Sequence, residues 1–475
     1  MESTEQNSGH GKAHLARTMG LGALIIYGVG DMLGAGVYGL MGKYAGKMGN
    51  AIWLAFAMSM IAALFTGLSY ASLGSRYPVA AGAAFITHRA FQKVFLSYMI
   101  GLAICASGLT SFATQSRAFA GYLLGFLGYQ LPGAKGELPV AQPLVVFAFA
   151  VGFILLLTFI NLRGMKEATW TNALCTGIEV GGLLLIVAVG ARYIGSVNLL
   201  EVPASAGSSE GVSFPSLGAM GVGTLALQGA ILTFYSFIGF EDMINVAEEV
   251  KDPERNFPRA VVIALFLTAL IYALVAIVVV SVVPWRELST SGQPMVEVMK
   301  RAAPWFPPKV FSFVAMFAIA NTALLNYIMG SRLVYGMARQ GFLPRILGEI
   351  HPTRQTPYRA IFALMLITIA LALAGDVSAL ASATSTLLLF IFIVVNASLL
   401  VLKRKPGEPK GFFEVPSFVP VGGILVSILM LGAAAFDVER RPSFTIALVL
   451  VALIAALYLV MRPKDINEEV LAELG

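Results

Sequence analysis

The chain has 475 residues, 57% hydrophobic and only 12% charged, with a mean hydropathy of +0.80. A soluble domain carries about a quarter charged residues, so the composition excludes one and indicates a polytopic membrane protein. The net charge of +6 does not suggest a nucleic-acid partner; basic residues gathered on one membrane face explain it better.

Residues 1–18 are polar and read as a cytoplasmic tail. The first apolar run is too long and too glycine-rich for a signal peptide, so none is expected. Apolar runs of roughly 20 residues span a bilayer as helices. Twelve are predicted, at 19–44, 50–73, 93–127, 141–161, 168–192, 221–248, 258–283, 307–338, 357–374, 377–402, 416–437 and 442–461. None shows the alternating pattern of a barrel strand. The third and eighth are long, which implies tilt or extension beyond the bilayer.

An even number of spans puts both termini on one side. That side collects 21 lysines and arginines against 10 on the other, which places the termini in the cytoplasm. The longest outer connection, 193–220, divides five spans (19–192) from five more (221–402). An odd count inserts the second block upside down, the arithmetic of an inverted repeat. Residues 403–475 hold spans 11 and 12 and a cytoplasmic tail. Cys105 and Cys175 lie within apolar spans and form no disulfide framework. His10, His14, His88 and His351 have no ligand spacing, so no metal site is expected.

Two spans are interrupted. The first reads Gly28-Val-Gly-Asp-Met-Leu-Gly-Ala-Gly-Val-Tyr38, and the sixth Phe234-Tyr-Ser-Phe-Ile-Gly-Phe-Glu-Asp242. An unpaired backbone group costs several kcal/mol in hydrocarbon, so such a break survives only where it lines a site. Paired breaks in corresponding positions of two halves point to a transporter's binding site. Residues Gly34 to Gly39 also fit G-x-G-x-x-G, but no strand precedes them, so a dinucleotide fold is rejected.

Several stretches are similar to the amino acid–polyamine–organocation (APC) superfamily. They are Gly34-Ala-Gly-Val-Tyr38, Tyr235-Ser-Phe-Ile-Gly-Phe-Glu241, Asn245 to Arg259, Ser331 to Pro344, and Gly375-Asp-Val-Ser378. The resemblance runs nearly the whole chain in order. It implies an all-α membrane protein of twelve transmembrane helices, a five-plus-five inverted repeat with broken helices 1 and 6 around an amino-acid-like substrate. It also implies that carbonyls at Met32, Tyr235, Ser236 and Ile238 accept the substrate ammonium, and that Tyr235 closes over it from outside.

The residues themselves agree with that expectation. Gly34, Ala35 and Gly36 free backbone N–H groups at the start of a half-helix, a setting for a carboxylate; close helix packing is the competing reading. Carbonyls freed at the Tyr235–Ile238 half-helix end attract a cation. Asn326 in the eighth span reads as pocket-lining or as interhelical glue. Arg117, deep in the third span, is expected to snorkel to the outer interface.

Intramembrane acids cost roughly 2.5–3.5 kcal/mol each near the bilayer centre and are functional by default. Asp31, beside the first break, would favour cationic amino acids or polyamines, or carry a proton. Glu241 is expected to sense a proton or the substrate. Asp242 is expected to face a cytoplasmic vestibule. Glu179 stands where proton-coupled relatives often carry lysine, and it reads equally as a protonatable coupling group and as a structural acid. Glu248, Glu249, Arg332, Arg339 and the Lys251–Arg259 cluster are expected on a solvated face or at a gate, with the solvated face preferred.

The function expected is secondary active transport of an amino acid or amine by alternating access, with no cofactor. A proton gradient is the favoured driving force, with sodium as the alternative. Obligate exchange and a non-transporting sensor are kept as other readings. A channel would want a continuous polar file, and an enzyme a catalytic His, Cys or Asp pair; neither pattern appears. The partners expected are the small-molecule substrate and the bilayer, with the protein a monomer or homodimer.

Overall fold

The computed structural model describes residues 17–79, 82–129, 142–204, 211–213, 225, 229–291, 293–374, 377–436 and 441–461. The described chain is almost entirely helical. Its helices are α1 (Leu21–Met48), α2 (Ile52–Arg76), α3 (Gly82–Phe91), α4 (Val94–Phe126), α5 (Pro143–Arg163) and α6 (Met165–Gly190). After a broken segment at Gly229–Glu249 come α7 (Pro253–Val282), α8 (Trp285–Thr290), α9 (Pro294–Ala302) and α10 (Pro308–Arg339). The last four are α11 (Tyr358–Ala374), α12 (Val377–Arg404), α13 (Phe418–Phe436) and α14 (Arg441–Met461).

Among the described residues, nine stretches are long and apolar enough to cross a membrane, the first holding α1 and α2 together. Two shorter apolar helices are Tyr358–Leu373 and Phe418–Gly432. The bundle is inverted relative to a soluble protein. Large apolar side chains such as Phe266, Leu448 and Val460 face outward, while Asp31, Glu179, Glu241 and Arg332 are buried. That distribution suits a solvent in which apolar surface costs nothing and charge must be hidden. α1 lies at the centre and packs against α6, α7, α8 and α10.

Three helices were not among the predicted spans, nor was the small antiparallel pair of strands Glu201–Pro203 and Gly211–Ser213 in the long outer connection. α3 is amphipathic and short, and α8 and α9 lie in the connection before α10. α7 starts at Pro253, five residues before the predicted span, because Pro253 suits a first helical turn. Pro258 then removes the N–H that would bond the Glu254 carbonyl, and the Ser75 hydroxyl donates to it instead at 2.8 Å. Gly375 and Asp376, the N-terminal tail to residue 16, most of 205–228 and residues 462–475 lie outside the described residues.

The connection between α12 and α13 is tied down by two carboxylates. Glu414 accepts from Arg76 Nε at 2.8 Å, Lys403 Nζ at 3.1 Å and the Gly411 amide at 2.9 Å. Glu408 accepts from the Tyr77 hydroxyl at 2.6 Å and Arg89 Nε at 2.8 Å. Burial alone pushes both carboxyls up. Hydrogen bonds from Tyr77 and Arg89 to Glu408, and from Arg76 and Gly411 to Glu414, outweigh it and hold both below the ordinary glutamate value of 4.5. Groups depressed in the folded state stabilise above their unfolded value and lose that contribution as pH falls through the folded one. Amide-exchange protection over 408–415 should therefore hold from about pH 7 to about pH 5 and drop once the pH passes below the ordinary glutamate value. Constant protection down to about pH 3 would show that these ion pairs do not hold the connection.

Candidate functional site

The two predicted breaks meet. In α1 only Gly34 leaves helical geometry (φ −55°, ψ −126°), a narrower break than an unwound stretch. The second break is wider. Tyr235–Phe237 form a 3-10 turn, Ile238 is extended, and Gly239 takes φ +133°, which a residue with a Cβ rarely adopts. Asp242–Glu249 then continue as eight residues of 3-10 helix. Runs that long are uncommon and mark strain or a hinge.

Glycine permits the contact. A Cβ on Gly36 would stand 2.9 Å from Ser236 Cα, and one on Gly239 would stand 3.0 Å from the Asp31 carbonyl carbon. Both obstacles are backbone atoms that no rotamer change removes.

Between the breaks lies a small cavity. Asp31, Met32 and Gly36 line it from α1, and Tyr235, Ile238, Gly239 and Asp242 from the broken segment. Ser111 and Gln115 of α4 and Thr322 and Asn326 of α10 complete the wall. A water molecule's centre can enter only about 20 Å³ of it, room for about one water. Asp31 is 2% exposed, and a cavity of this size must widen to admit anything larger than a water.

Its electrostatics are one-sided. Asp31 and Asp242 both line it, and no lysine or arginine does. Both Asp31 oxygens are buried without a hydrogen-bond partner. Asp242 thus lies at the cavity rather than on a vestibule, because the break turns it inward. Glu241 is buried beside it, and its Oε2 accepts the Gly239 amide at 2.9 Å.

Freed carbonyls have specific partners. The Tyr272 hydroxyl of α7 donates to Met32 O and to Ser236 O, the latter at 2.7 Å. One hydroxyl hydrogen serves two acceptors, so those carbonyls keep spare capacity for another donor. The Tyr235 carbonyl accepts the Ile238 amide at 3.3 Å. The Tyr235 and Ser111 side chains both line the cavity. Asn326 Nδ2 donates to Thr322 O at 2.9 Å. Ala35 lies in the helix; its side chain is outside the described residues.

A second polar cluster lies behind the first break. Glu179 is fully buried, and its Oε2 accepts a long 3.5 Å hydrogen bond from Asn321 Nδ2. Asn321 Nδ2 also reaches Thr176 Oγ1 at 2.8 Å and Gly30 O at 3.4 Å. Glu179 Oε1 has no partner. The Tyr38 hydroxyl donates to the Glu179 carbonyl at 2.8 Å, tying α1 to α6.

One expectation is corrected outright. Arg332 and Glu249 are not on a solvated face; they form a 3.1 Å ion pair with side chains 1% and 2% exposed. Arg332 Nη1 also donates to Asn161 Oδ1 and to Ser331 Oγ, each at 2.8 Å. The Glu249 carbonyl accepts the Met19 amide at 3.0 Å, and the Lys251 amide donates to Met19 O at 2.8 Å, closing this end of the bundle. Arg339 pairs with Glu248 at 3.1 Å in a half-buried setting. Arg117 is half-buried, and its Nη1 donates to Ala372 O in the last turn of α11 at 3.3 Å.

Sequence reasoning missed Ser111, Gln115, Thr322 and Tyr272. A signal existed for two of them: Ser107, Ser111 and Gln115 recur every fourth residue in an apolar span, one polar stripe on a helix. Tyr272 has only Thr268 beside it at helical spacing in an otherwise apolar stretch, too short a pattern to single it out.

The amino acid permease family model matches residues 20–463, and the chain belongs to that family. It is a multi-pass membrane transporter, not an enzyme. Over 91% of the chain and 90% of its own length, the methylthioribose transporter of Bacillus subtilis (strain 168) is 27% identical. The branched-chain amino acid permease BcaP of the same organism is 24% identical over 88% and 87%. Human cationic amino acid transporter 4 is 29% identical over 73% of this chain and 53% of its own length.

Proposed function

We propose that the chain is a secondary active transporter that carries a cationic amino acid or amine across the cytoplasmic membrane by alternating access. The observation that carries this reading is Asp31, a carboxylate with two unpartnered oxygens, buried where two broken segments meet. In this reading the substrate ammonium takes the spare capacity of the Met32 and Ser236 carbonyls beside Tyr272. The backbone at Gly34, Ala35 and Gly36 receives the carboxylate, and Asp31 and Asp242 hold a cationic side chain. Asn326, Ile238 and Tyr235 complete the wall.

The twelve-span topology belongs to the same proposal. α1, α2, α4, α5, α6, the broken segment, α7, α10, α11, α12, α13 and α14 supply twelve crossings, with the breaks in the first and sixth. That placement supports a five-plus-five inverted repeat, and the basic-residue bias supports cytoplasmic termini. The small cavity supports a stage of the cycle in which the site is contracted, with Arg332–Glu249 closing the cytoplasmic end.

Coupling is assigned to protons, with Glu179 as the carrier and Asp31 and Glu241 as the acids that respond at the site. The buried Glu179 supports this: one of its oxygens is unpartnered, and the other is linked to the Gly30 carbonyl of α1 through Asn321, so proton gain or loss there bears on the α1 break through that amide. The test is uptake of an amino-acid and polyamine mixture into liposomes holding the purified protein under an inside-alkaline pH gradient. Wild-type protein should accumulate the cationic class, and Glu179→Gln should lose accumulation while retaining exchange into preloaded vesicles. Exchange without accumulation in the wild type would make it an obligate exchanger. Unchanged pH dependence in Glu179→Gln would reject Glu179 as the coupling group.

A further inference from the structure

The start of α7 carries a feature that the transport site does not use. An apolar groove runs between α7 and the α12–α13 connection, lined by Pro258, Arg259, Val262, Ile263, Phe412 and Phe413. A water molecule's centre can enter about 280 Å³ of it, against about 20 Å³ at the breaks. Its walls are fixed by one side chain. The Ser75 hydroxyl donates to Glu254 O on the α7 side and accepts the Phe413 amide at 3.2 Å on the other. The groove is therefore a built depression between two anchored segments.

Its rim is charged. The Arg255 and Arg259 guanidiniums lie 5.2 Å and 5.8 Å from the Phe412 ring centroid, stacked by one aromatic platform. Among the described residues, neither guanidinium lies within ion-pair distance of a carboxylate. Glu414, the acid two residues beyond Phe412, is already engaged by Arg76 and Lys403. Asp252 and Glu254, on the same first turn of α7, are exposed.

Below the rim the apolar surface continues. Ile263 and Phe266 are exposed on the outward face of the 30-residue apolar helix α7, about one and two turns beyond Arg259. Two unpaired guanidiniums above a hydrocarbon groove, at the point where a crossing helix enters the membrane, match a molecule with an anionic head and an apolar tail. Free phosphate would leave the groove wet, and a zwitterionic lipid would bring no net charge to the rim.

We propose that this groove binds one anionic phospholipid molecule, its phosphate held by Arg255 and Arg259 and an acyl chain laid along Val262, Ile263 and Phe413. The site requires only that α7 crosses a membrane, so it stands whether or not the substrate assignment does. A lipid lodged there would link α7 and the α12–α13 connection at the membrane boundary.

The experiment is native mass spectrometry of the detergent-purified protein offered phosphatidylglycerol and phosphatidylcholine at equal concentration. Titrations follow the affinity for each lipid. Wild-type protein should retain phosphatidylglycerol preferentially, and raised salt should weaken it. The Arg255→Gln/Arg259→Gln variant should bind it about 30-fold more weakly, about fivefold for each charge removed. Inorganic phosphate alone should not displace it. Ile263→Trp fills the groove but keeps both charges, and should lose the lipid too. Equal retention of both lipids, wild-type affinity in either variant, or displacement by phosphate would overturn the proposal. If the double arginine variant fails to fold, Ile263→Trp and the lipid comparison decide it.

Discussion

Replacing Arg332 by alanine should cost about 3–5 kcal/mol of unfolding free energy, because it strands a charge inside the bundle. Glu249 has its ion-pair partner at 3.1 Å and is 1% exposed. Without Arg332 the buried Glu249 carboxylate loses its cation, Asn161 Oδ1 and Ser331 Oγ lose the donor they share, and the largest fully buried side chain among the described residues leaves a void. Arg332→Met with Glu249→Leu should recover most of the loss, since an apolar pair of similar volume carries no desolvation penalty. Unfolding midpoints in an SDS titration of the three variants against wild type measure this. A loss below about 1 kcal/mol for Arg332→Ala would mean that the pair is open to water in the dominant state. The same pair should act as a latch. The double variant keeps the backbone bond from Met19 to residue 249 but loses the ion pair and the Arg332 contacts to Asn161 and Ser331, so it should be stable yet leave this end of the bundle easier to open.

Asp31→Asn should abolish any preference for cationic substrates. Two unit charges about 4 Å apart interact by about 4 kcal/mol at the effective dielectric of a partly buried site. Allowing for desolvation, we expect arginine to bind roughly 100-fold more weakly to the variant. Leucine should be affected far less, because asparagine conserves shape and removes only charge. Competition of arginine and leucine against a labelled substrate separates the two effects. The relatives make this informative: one is named for branched-chain amino acids and another for cationic ones. If leucine competes with wild-type protein as well as arginine does, Asp31 does not select for charge, and its two unpartnered oxygens serve the proton instead.

The breaks were legible because glycine and carboxylate inside an apolar run are expensive in hydrocarbon, and the expense is visible residue by residue. Gly34, Gly36, Asp31 and the Tyr235–Asp242 stretch could be singled out on that ground alone, and the structure brings Asp31, Gly36, Tyr235, Gly239 and Asp242 to one cavity, while Gly34 marks the break without lining it. Met32, Ile238 and Asn326 also line it. Arg332 and Glu249 were misjudged for the opposite reason. They stand near helix ends, where charge is cheap if water is present, and only packing decides whether it is. Asp242 was misplaced by the same ambiguity, since its direction depends on the turn that Gly239 makes at φ +133°.

By itself, the sequence determined the apolar spans, the bias of basic residues, the two interruptions and the acids that needed an explanation. Each is a local property, set by the cost of placing a given residue in hydrocarbon. The tertiary structure alone decided which freed carbonyls Tyr272 caps, which stripe of α4 closes the wall, that Glu179 faces the α1 break through Asn321, and that the Arg332 charge is buried. Those are pairings between residues up to 291 positions apart, and a pairing is worth nothing until both partners leave water together.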